Sequence, residues 1–181
     1  MLTLFSNRRD MEQAYNVVEP QLRKSGLYLA CQKRGVSVKG VRDTFLADKT
    51  SSLFALKSFW EGFDAPGATL RGVVIPKIPF MRPSDPLLKE LDARSQNGWA
   101  TKSLPSAVID IKQAAGRLIR TSQDKGCVIF ADVRVANKGY GKTILASMPT
   151  KNIRILPCDA IVQEIAQANQ HTAKNGSSAV E

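Results

Sequence analysis

The segment Arg71-Gly72-Val73-Val74-Ile75-Pro76 indicates most clearly how this 181-residue chain folds. Its centre, Val73-Val74-Ile75, places apolar side chains on both faces of an extended strand, and Val128-Ile129-Phe130 does the same. Strands that are buried on both faces are typical of a parallel sheet covered by helices on both sides. We therefore expect an α/β fold with a mainly parallel central sheet.

Strand-like and helix-like segments alternate along almost the whole chain. Strands are predicted at residues 2–5, 27–31, 52–56, 71–76, 127–131 and 152–156. Helices are predicted at residues 9–24, 38–47, 85–96, 105–121, 140–147 and 159–169. The pattern predicts one domain over residues 1–166, followed by a disordered tail over residues 167–181. In open parallel sheets ligands bind beyond the carboxyl ends of the strands, so the loops that follow strands are the candidates for function.

The composition is basic. Lys and Arg number 26 against 16 Asp and Glu, which gives a formal net charge of +10 and a pI near 9.8. Excess positive charge favours polyanions such as nucleic acid. The charge is concentrated in residues 32–42 and 112–142, although an ordinary solvated surface could also carry it. The apolar runs are far shorter than the roughly 20 residues that span a bilayer, and the first residues do not resemble a secretory signal, so no membrane partner is expected.

The cysteines and the single histidine exclude several kinds of site. Cys31, Cys127 and Cys158 lie far apart without CxxC spacing, which favours small core residues over a disulfide framework or a zinc site. This usage is typical of a reducing compartment, so we expect a cytoplasmic protein. Because His171 is the sole histidine and lies in the predicted tail, neither a Ser-His-Asp triad nor a histidine-based metal site is expected.

The helix predicted at residues 105–121 carries a polar face that suits phosphate. At about 100 degrees per residue, Gln113, Arg117 and Arg120 lie within about 60 degrees of one another, opposite the apolar stripe, with Gly116 beside them. Guanidinium groups offer forked, permanently charged donors to phosphate oxygens. A glycine inside a helix costs roughly 1 kcal/mol relative to Ala, which suggests that another group approaches the backbone there. The alternative is an exposed face whose arginines form surface ion pairs.

A second candidate follows the strand predicted at residues 52–56, where the sequence reads Ser58-Phe-Trp-Glu61-Gly62-Phe-Asp64-Ala-Pro-Gly67. Three aromatic residues, two carboxylates and two glycines within this loop favour a ligand-contacting turn, but a plain buried turn is equally compatible. A carboxylate pair for glycoside hydrolysis at Glu61 and Asp64 is a minor alternative, because sequence spacing does not give their separation.

A third segment, Ala136-Asn-Lys-Gly-Tyr-Gly141-Lys142-Thr143, matches a relaxed phosphate-binding loop. Residues 132–135 separate it from the preceding strand, the following helix is short, and no clear apolar strand ending in an acidic Walker B residue accompanies it. A phosphotransferase that uses Lys142 therefore remains a minor alternative.

Taken in order, three of these segments resemble motifs of the DinG and XPD group of superfamily-two DNA helicases. Leu4-Phe-Ser6-Asn7-Arg8 is similar to motif IV, the loop at residues 58–67 to motif V, and Gln113-Ala-Ala-Gly116-Arg117-Leu-Ile-Arg120 to motif VI. The resemblance covers about residues 2–156, concerns the second RecA-like motor domain, and is strongest to bacterial DinG-like helicases. It implies a RecA-like three-layer sandwich.

The resemblance also implies roles for individual residues. As catalytic arginine fingers, it suggests Arg117 and Arg120. The residues implied to bind nucleotide are Glu61, Gly62, Asp64, Gln113 and Gly116. Those implied to contact single-stranded DNA are Ser6, Asn7, Arg8 and Ser58. ATP and Mg²⁺ are the expected cofactors of the full-length enzyme.

The missing parts of such a helicase belong to its first motor domain. Walker A, the acidic metal-binding motif and the four cysteines that hold an iron–sulfur cluster in some members are not found in this sequence. We therefore expect the chain to be the carboxy-terminal half of a longer helicase, truncated or split, that hydrolyses no ATP without its partner motor domain. The alternative from a different class is a free nucleic-acid-binding or regulatory module with no nucleotide role.

Overall fold

A computed structural model describes residues 1–59, 70–94, 96–118 and 126–175. In this part of the chain five parallel strands form one sheet in the order β2-β3-β1-β4-β5. The strands are β1 (Leu2–Phe5), β2 (Leu29–Cys31), β3 (Ser52–Leu56), β4 (Gly72–Ile75) and β5 (Cys127–Phe130). The central strand is β1, whose Leu2 pairs with Leu53 on one side and with Val73 on the other. The expected parallel α/β sheet is confirmed.

The helices are α1 (Arg8–Lys24), α2 (Val38–Ala47), α3 (Pro86–Ala93), α4 (Leu104–Leu118), α5 (Arg134–Asn137), α6 (Gly139–Ala146) and α7 (Cys158–Asn175). Helices α1 to α4 lie between strands in the chain, and α5 to α7 follow β5. A π-helical turn, Trp99–Ser103, leads into α4 and was not predicted. The prediction extended the helix at α4 to residue 121, but residues 119–125 lie outside the described part of the chain.

The first turns of three helices are capped by polar side chains. Side-chain oxygens of Asn7 and Asp85 accept hydrogen bonds from backbone amides of α1 and α3, at 2.8 and 2.9 Å. Ser37 caps α2 in the same way, at 3.3 Å. Such caps satisfy amides that have no partner within the helix, so the sequence fixes where these helices begin.

Two apolar clusters lie on opposite faces of the sheet. The larger one joins Leu2 and Leu4 of β1 to residues of α2, α4 and α6. The smaller one joins Phe5 to Met11 of α1. Because successive side chains of a strand point to opposite faces, α1 covers one face and the other three helices cover the second. The result is the expected three-layer arrangement.

The prediction of a strand at residues 152–156 is wrong, because these residues adopt no regular structure. Ile155 is 70% exposed, and Arg154 forms an ion pair with Glu164 of α7. A charged side chain inside the run and Pro157 after it are incompatible with a strand buried on both faces.

Contacts between Cα atoms divide the chain into two compact units, Met1–Pro149 and Thr150–Glu181. Helix α7 belongs to the second unit and continues through Asn175, beyond the predicted end at residue 169. It therefore includes part of the predicted tail, while residues 176–181 lie outside the description. The predicted domain boundary at residue 166 stays a prediction.

Candidate nucleic-acid and nucleotide site

The carboxyl ends of all five strands meet at one edge of the sheet, because the strands are parallel. The first residues beyond these ends, in spatial order along the edge, are Gln32, Lys57, Ser6, Pro76 and Ala131. Ligands of open parallel sheets bind at this edge. The structure thus places Ser6, in the segment that resembles motif IV, beside Lys57, which directly precedes the segment that resembles motif V, although about 50 residues separate them in the sequence.

The predicted DNA contacts Ser6, Asn7 and Arg8 lie together between β1 and α1. Ser6 is exposed, whereas the side-chain oxygen of Asn7 is engaged in capping α1. The Arg8 guanidinium donates a hydrogen bond to the backbone carbonyl of Gln32 at 2.8 Å, and it lies 3.8 Å from a carboxylate oxygen of Glu12. Arg8 therefore ties the start of α1 to the loop after β2, a contact that its sequence position did not reveal.

A crevice of about 210 Å³ opens between the carboxyl ends of β1 and β4. The chain leaves β1 toward β2 and leaves β4 toward β5, in opposite directions, so this is a topological switch point of the sheet. Ser6 and Lys77 are among the lining residues, and the Lys77 ammonium lies 2.6 Å from a carboxylate oxygen of Asp10. That hydrogen bond is the main reason why the pKa of Asp10 is lowered.

The segment after β3 begins with a 3₁₀ turn, Lys57–Phe59. The Lys57 ammonium lies 2.6 Å from a carboxylate oxygen of Asp110, which ties this turn to α4. The side chain of the predicted DNA contact Ser58 is not described. The predicted nucleotide-binding residues Glu61, Gly62 and Asp64 also lie outside the described residues, so their roles remain predictions.

Helix α4 has one buried face and one open face. Buried residues include Ile111 and Leu118, whereas Gln113 and Gly116 are exposed, as their spacing predicted. Among the residues described, no heavy atom lies within 4 Å of the position that a Cβ would occupy at Gly116. The side chain of Arg117 and all of Arg120 lie outside the described part of the chain.

The open face of α4 also carries Ile109, which is 55% exposed. Helical spacing places Ile109, Gln113 and Gly116 within about 60 degrees of one another. We define these three residues as the open face of α4. The exposure of Ile109 was not predicted, although an isoleucine outside the apolar stripe is a signal that could have identified it.

The segment that resembles a phosphate-binding loop is helical. Residues 134–137 form α5, and α6 begins at Gly139, with only Lys138 between them. At Gly141 a Cβ would stand 1.9 Å from the carbonyl oxygen of Val135, so Gly141 is packed against backbone. This geometry leaves no open loop of amides around a phosphate, and it does not favour the phosphotransferase alternative.

Asp132, just beyond β5, is buried and fully engaged. One of its carboxylate oxygens accepts a hydrogen bond from the backbone amide of Ile78 at 3.0 Å. The Arg134 guanidinium donates to both carboxylate oxygens, at 2.8 and 2.6 Å. These bonds, those from Arg134 above all, lower the pKa of Asp132. They fix the segment after β4 to the end of β5, next to the crevice.

Three aromatic rings that are distant in the sequence pack together. The ring centroids of Phe80, Trp99 and Tyr140 lie 5.2 to 5.7 Å apart in tilted and edge-to-face arrangements. Phe80 and Tyr140 also pack against the larger apolar cluster. The cluster connects the segment after β4 to the π-helical turn and to α6, which stabilises the carboxyl edge.

Among the residues described, no group of three or more His, Cys, Asp or Glu side chains is arranged to hold a metal ion. Within the same ranges, no helix combines the length and the apolar character that crossing a membrane requires. Of the three cysteines expected in the core, Cys31 is buried, Cys127 is half-buried and Cys158 is exposed, so that expectation holds fully for Cys31 alone.

The family model described as "Helicase C-terminal domain" matches residues 1–151. The chain belongs to the helicase C-terminal domain family. This helicase C-terminal domain is 38% identical over 152 residues to "ATP-dependent helicase DinG" of Mycobacterium tuberculosis, covering 82% of this chain and 22% of that protein. It is 43% identical over 121 residues to "ATP-dependent DNA helicase YoaA" of Escherichia coli, covering 64% and 19%.

A third relative of this helicase C-terminal domain is "3'-5' exonuclease DinG" of Bacillus subtilis, at 32% identity over 158 residues, covering 84% of this chain and 17% of that protein. Among solved structures, one titled "XPD_Helicase" superposes with a TM-score of 0.64 at 21% identity, covering 85% of this chain and 28% of that one. The predicted RecA-like α/β fold is thus confirmed. The chain spans about a fifth of the length of these curated relatives.

Proposed function

We propose that this helicase C-terminal domain is the second motor domain of an ATP-dependent DNA helicase. In this proposal it supplies arginine fingers to an ATP site shared with a first motor domain and contacts the backbone of single-stranded DNA. The observation that carries the proposal is the open face of α4, on which an apolar side chain, an amide and a bare glycine backbone lie exposed together.

The open face of α4 suits the docking of another domain near bound nucleotide. Exposed Ile109 offers apolar area to a partner surface, and Gly116 allows that surface to approach the helix backbone. The proposal assigns Arg120, four residues beyond Gly116 in the sequence, to the same face. An arginine there would stabilise negative charge that develops on a γ-phosphate held by the first motor domain.

The carboxyl edge of the sheet suits the DNA side of the proposal. Exposed Ser6 lies at the crevice between β1 and β4, with Arg8 held in place beside it. Contacts from such residues to phosphates would hold a strand without reading its sequence. ATP and Mg²⁺ would be bound mainly by the first motor domain, since Walker A and the acidic metal-binding motif are not found in this sequence.

The decisive experiment replaces Arg117 and Arg120 by alanine, singly, in the full-length protein. An arginine finger contributes about 10³-fold or more to the hydrolysis rate, so we expect kcat for DNA-stimulated ATP hydrolysis to fall by that order in at least one variant. The affinity for single-stranded DNA should change little. Steady-state ATP hydrolysis and fluorescence anisotropy measure the two quantities.

Lys49→Ala is the control, because Lys49 is exposed in the loop before β3, at the opposite edge of the sheet. If ATP hydrolysis survives in both arginine variants while DNA affinity falls, the chain is a binding or regulatory module instead. If the separate chain hydrolyses ATP and Lys142→Ala abolishes this activity, the phosphotransferase alternative is correct and the proposal is wrong.

A further inference from the structure

A second cavity, of about 490 Å³, lies on the surface of α1 and is distinct from the crevice between β1 and β4. We call it the basic groove. Its lining residues are Arg8, Arg9, Glu12, Gln13, Asn16 and Arg34. Three arginines against one glutamate give it positive charge, and Arg34 belongs to the run of basic residues at 32–42 for which the proposed function has no role.

The positive charge of the groove is only partly compensated. Arg8 is engaged with the carbonyl of Gln32 and lies near Glu12. Arg9 and Arg34 are exposed, and neither forms a hydrogen bond or an ion pair with any other residue of the described ranges. Arg9 is close enough to the Asp10 carboxylate to contribute to the lowering of its pKa, but Asp10 is paired with Lys77. Two guanidinium groups therefore remain available to an anion.

The loop that carries Arg34 is held against α1. The ammonium of the preceding residue, Lys33, lies 3.8 Å from the centroid of the Tyr15 ring, in cation–π contact. The Arg8 bond to Gln32 anchors the same loop one residue earlier. Arg34 is thus presented from an anchored segment, which reduces the entropy lost when it binds a ligand.

The basic groove continues the predicted DNA-contact segment. Gln13 lines both this groove and the crevice that contains Ser6, so the two cavities adjoin. Along the edge of the sheet the groove extends from the exit of β1 toward the exit of β2. A ligand that follows this path must be extended and carry repeated negative charge, which describes a nucleic-acid backbone better than a single phosphate.

We infer that the basic groove binds the phosphates of single-stranded nucleic acid, with Arg9 and Arg34 each contacting one backbone phosphate beyond the Ser6–Arg8 segment. This inference rests on the proposed function and extends its DNA track across α1. Because phosphates carry no sequence information, the groove should add affinity equally for all sequences.

The test compares Arg9→Ala/Arg34→Ala with Lys24→Ala/Lys49→Ala. Both double variants lose two positive charges, but Lys24 and Lys49 precede β2 and β3 and so lie at the opposite edge of the sheet. Each phosphate contact with a single strand contributes about 0.7 to the slope of log K against log salt. Two lost contacts should lower the magnitude of this slope by about 1.4. If the variant and the unchanged chain bind equally at 1 M salt, the variant should then bind about 25-fold more weakly at 0.1 M salt.

Fluorescence anisotropy with labelled (dT)20 between 50 mM and 1 M salt measures both quantities for the chain, and circular dichroism checks that each variant is folded. The control should retain its affinity within about twofold. The inference is overturned if the two double variants lose equal affinity. It is also overturned if inorganic phosphate displaces (dT)20 as effectively, per phosphate, as an unlabelled oligonucleotide does.

A failure of the groove inference can be distinguished from a failure of the proposed function. If (dT)20 binding survives in Arg9→Ala/Arg34→Ala while Arg117→Ala or Arg120→Ala abolishes ATP hydrolysis, the groove inference is wrong and the proposed function stands. If the arginine-finger variants retain full ATP hydrolysis, the proposed function is wrong whatever the groove binds.

Discussion

At the scale of single residues, Asp132 shows how the carboxyl edge of the sheet is held together. Its side chain is 5% exposed, and its carboxylate accepts hydrogen bonds from the backbone amide of Ile78 and from the Arg134 guanidinium. A buried carboxylate is costly unless its oxygens are satisfied, and these bonds satisfy them. Asp132 is thus a structural residue that positions the segment leading to Phe80.

We predict that Asp132→Asn lowers the free energy of unfolding at pH 7 by about 1–3 kcal/mol, the usual range for hydrogen bonds to a charged group. The lowered pKa means that this stability is present above the unfolded-state pKa, near 3.9, and is lost as the pH falls through the folded-state pKa. Urea unfolding at pH 7 and pH 3 measures the difference, which should shrink at pH 3.

Asp43→Asn is the matched control, because Asp43 forms an exposed ion pair with Arg42 and should contribute less than about 1 kcal/mol. Equal losses for Asn at positions 43 and 132 would show that the buried carboxylate has no special role.

Arg8 and Cys31 show what residue-scale prediction from the sequence could and could not do. A buried cysteine in an apolar strand was predictable, and burial raises its pKa to about 11. The engagement of Arg8 with Gln32 was not, because the partner lies 24 residues away and is brought close only by the order of the strands. Motif resemblance identified the segment but not which of its side chains are already occupied.

At the scale of secondary-structure elements, the junction of α5 and α6 explains the two glycines of the apparent phosphate-binding loop. No described heavy atom lies within 4 Å of the Cβ position at Gly139, whereas a Cβ at Gly141 would overlap the Val135 carbonyl. Glycine at residue 141 is therefore required by close packing of two short helices rather than by a phosphate.

We predict that Gly141→Ala destabilises the chain by about 3 kcal/mol or more, because the methyl group would overlap a backbone oxygen. Gly139→Ala, in the same helix, should have no effect or stabilise by up to about 1 kcal/mol. Thermal unfolding measures both, at about 2–4 °C per kcal/mol for a chain of this size. Similar melting temperatures for the two variants would contradict the packing argument.

Most elements were predictable because their patterns are local. The strands at residues 2–5 and 52–56 and the helix at residues 38–47 have the predicted bounds. The prediction of a strand at 152–156 was wrong because it relied on the apolar residues of this run and gave no weight to Arg154 or to the proline that follows. The π-helical turn before α4 was missed, since apolar periodicity does not distinguish it from the helix that it precedes.

At the scale of the whole molecule, Gly116 has different expected effects on the stability of the separate chain and on the proposed docking of a first motor domain. Within the described part of the chain nothing requires a glycine there, because none of its atoms lies within 4 Å of the missing Cβ. A first motor domain that packs on the open face of α4 would need it.

We predict that Gly116→Ala stabilises the separate chain by about 1 kcal/mol but lowers kcat for ATP hydrolysis by the full-length protein about 10- to 100-fold. The second effect corresponds to the roughly 1–3 kcal/mol that overpacking costs at a tight interface. Thermal unfolding and steady-state hydrolysis measure the two effects. Unchanged hydrolysis would show that nothing docks closely at Gly116.

The central place of β1 has a consequence for how this sheet assembles during synthesis. β1 is the earliest strand of the sheet to leave the ribosome, yet its two neighbours begin about 50 and 70 residues later. β1 therefore has no strand to pair with until β3 has been synthesised. The crevice at its carboxyl end cannot form before β4 has been synthesised. Such long-range pairing is slow, and until it is complete the apolar, unpaired strands are prone to aggregation. The folding of this domain should therefore depend on chaperones more than that of a helical domain of the same length.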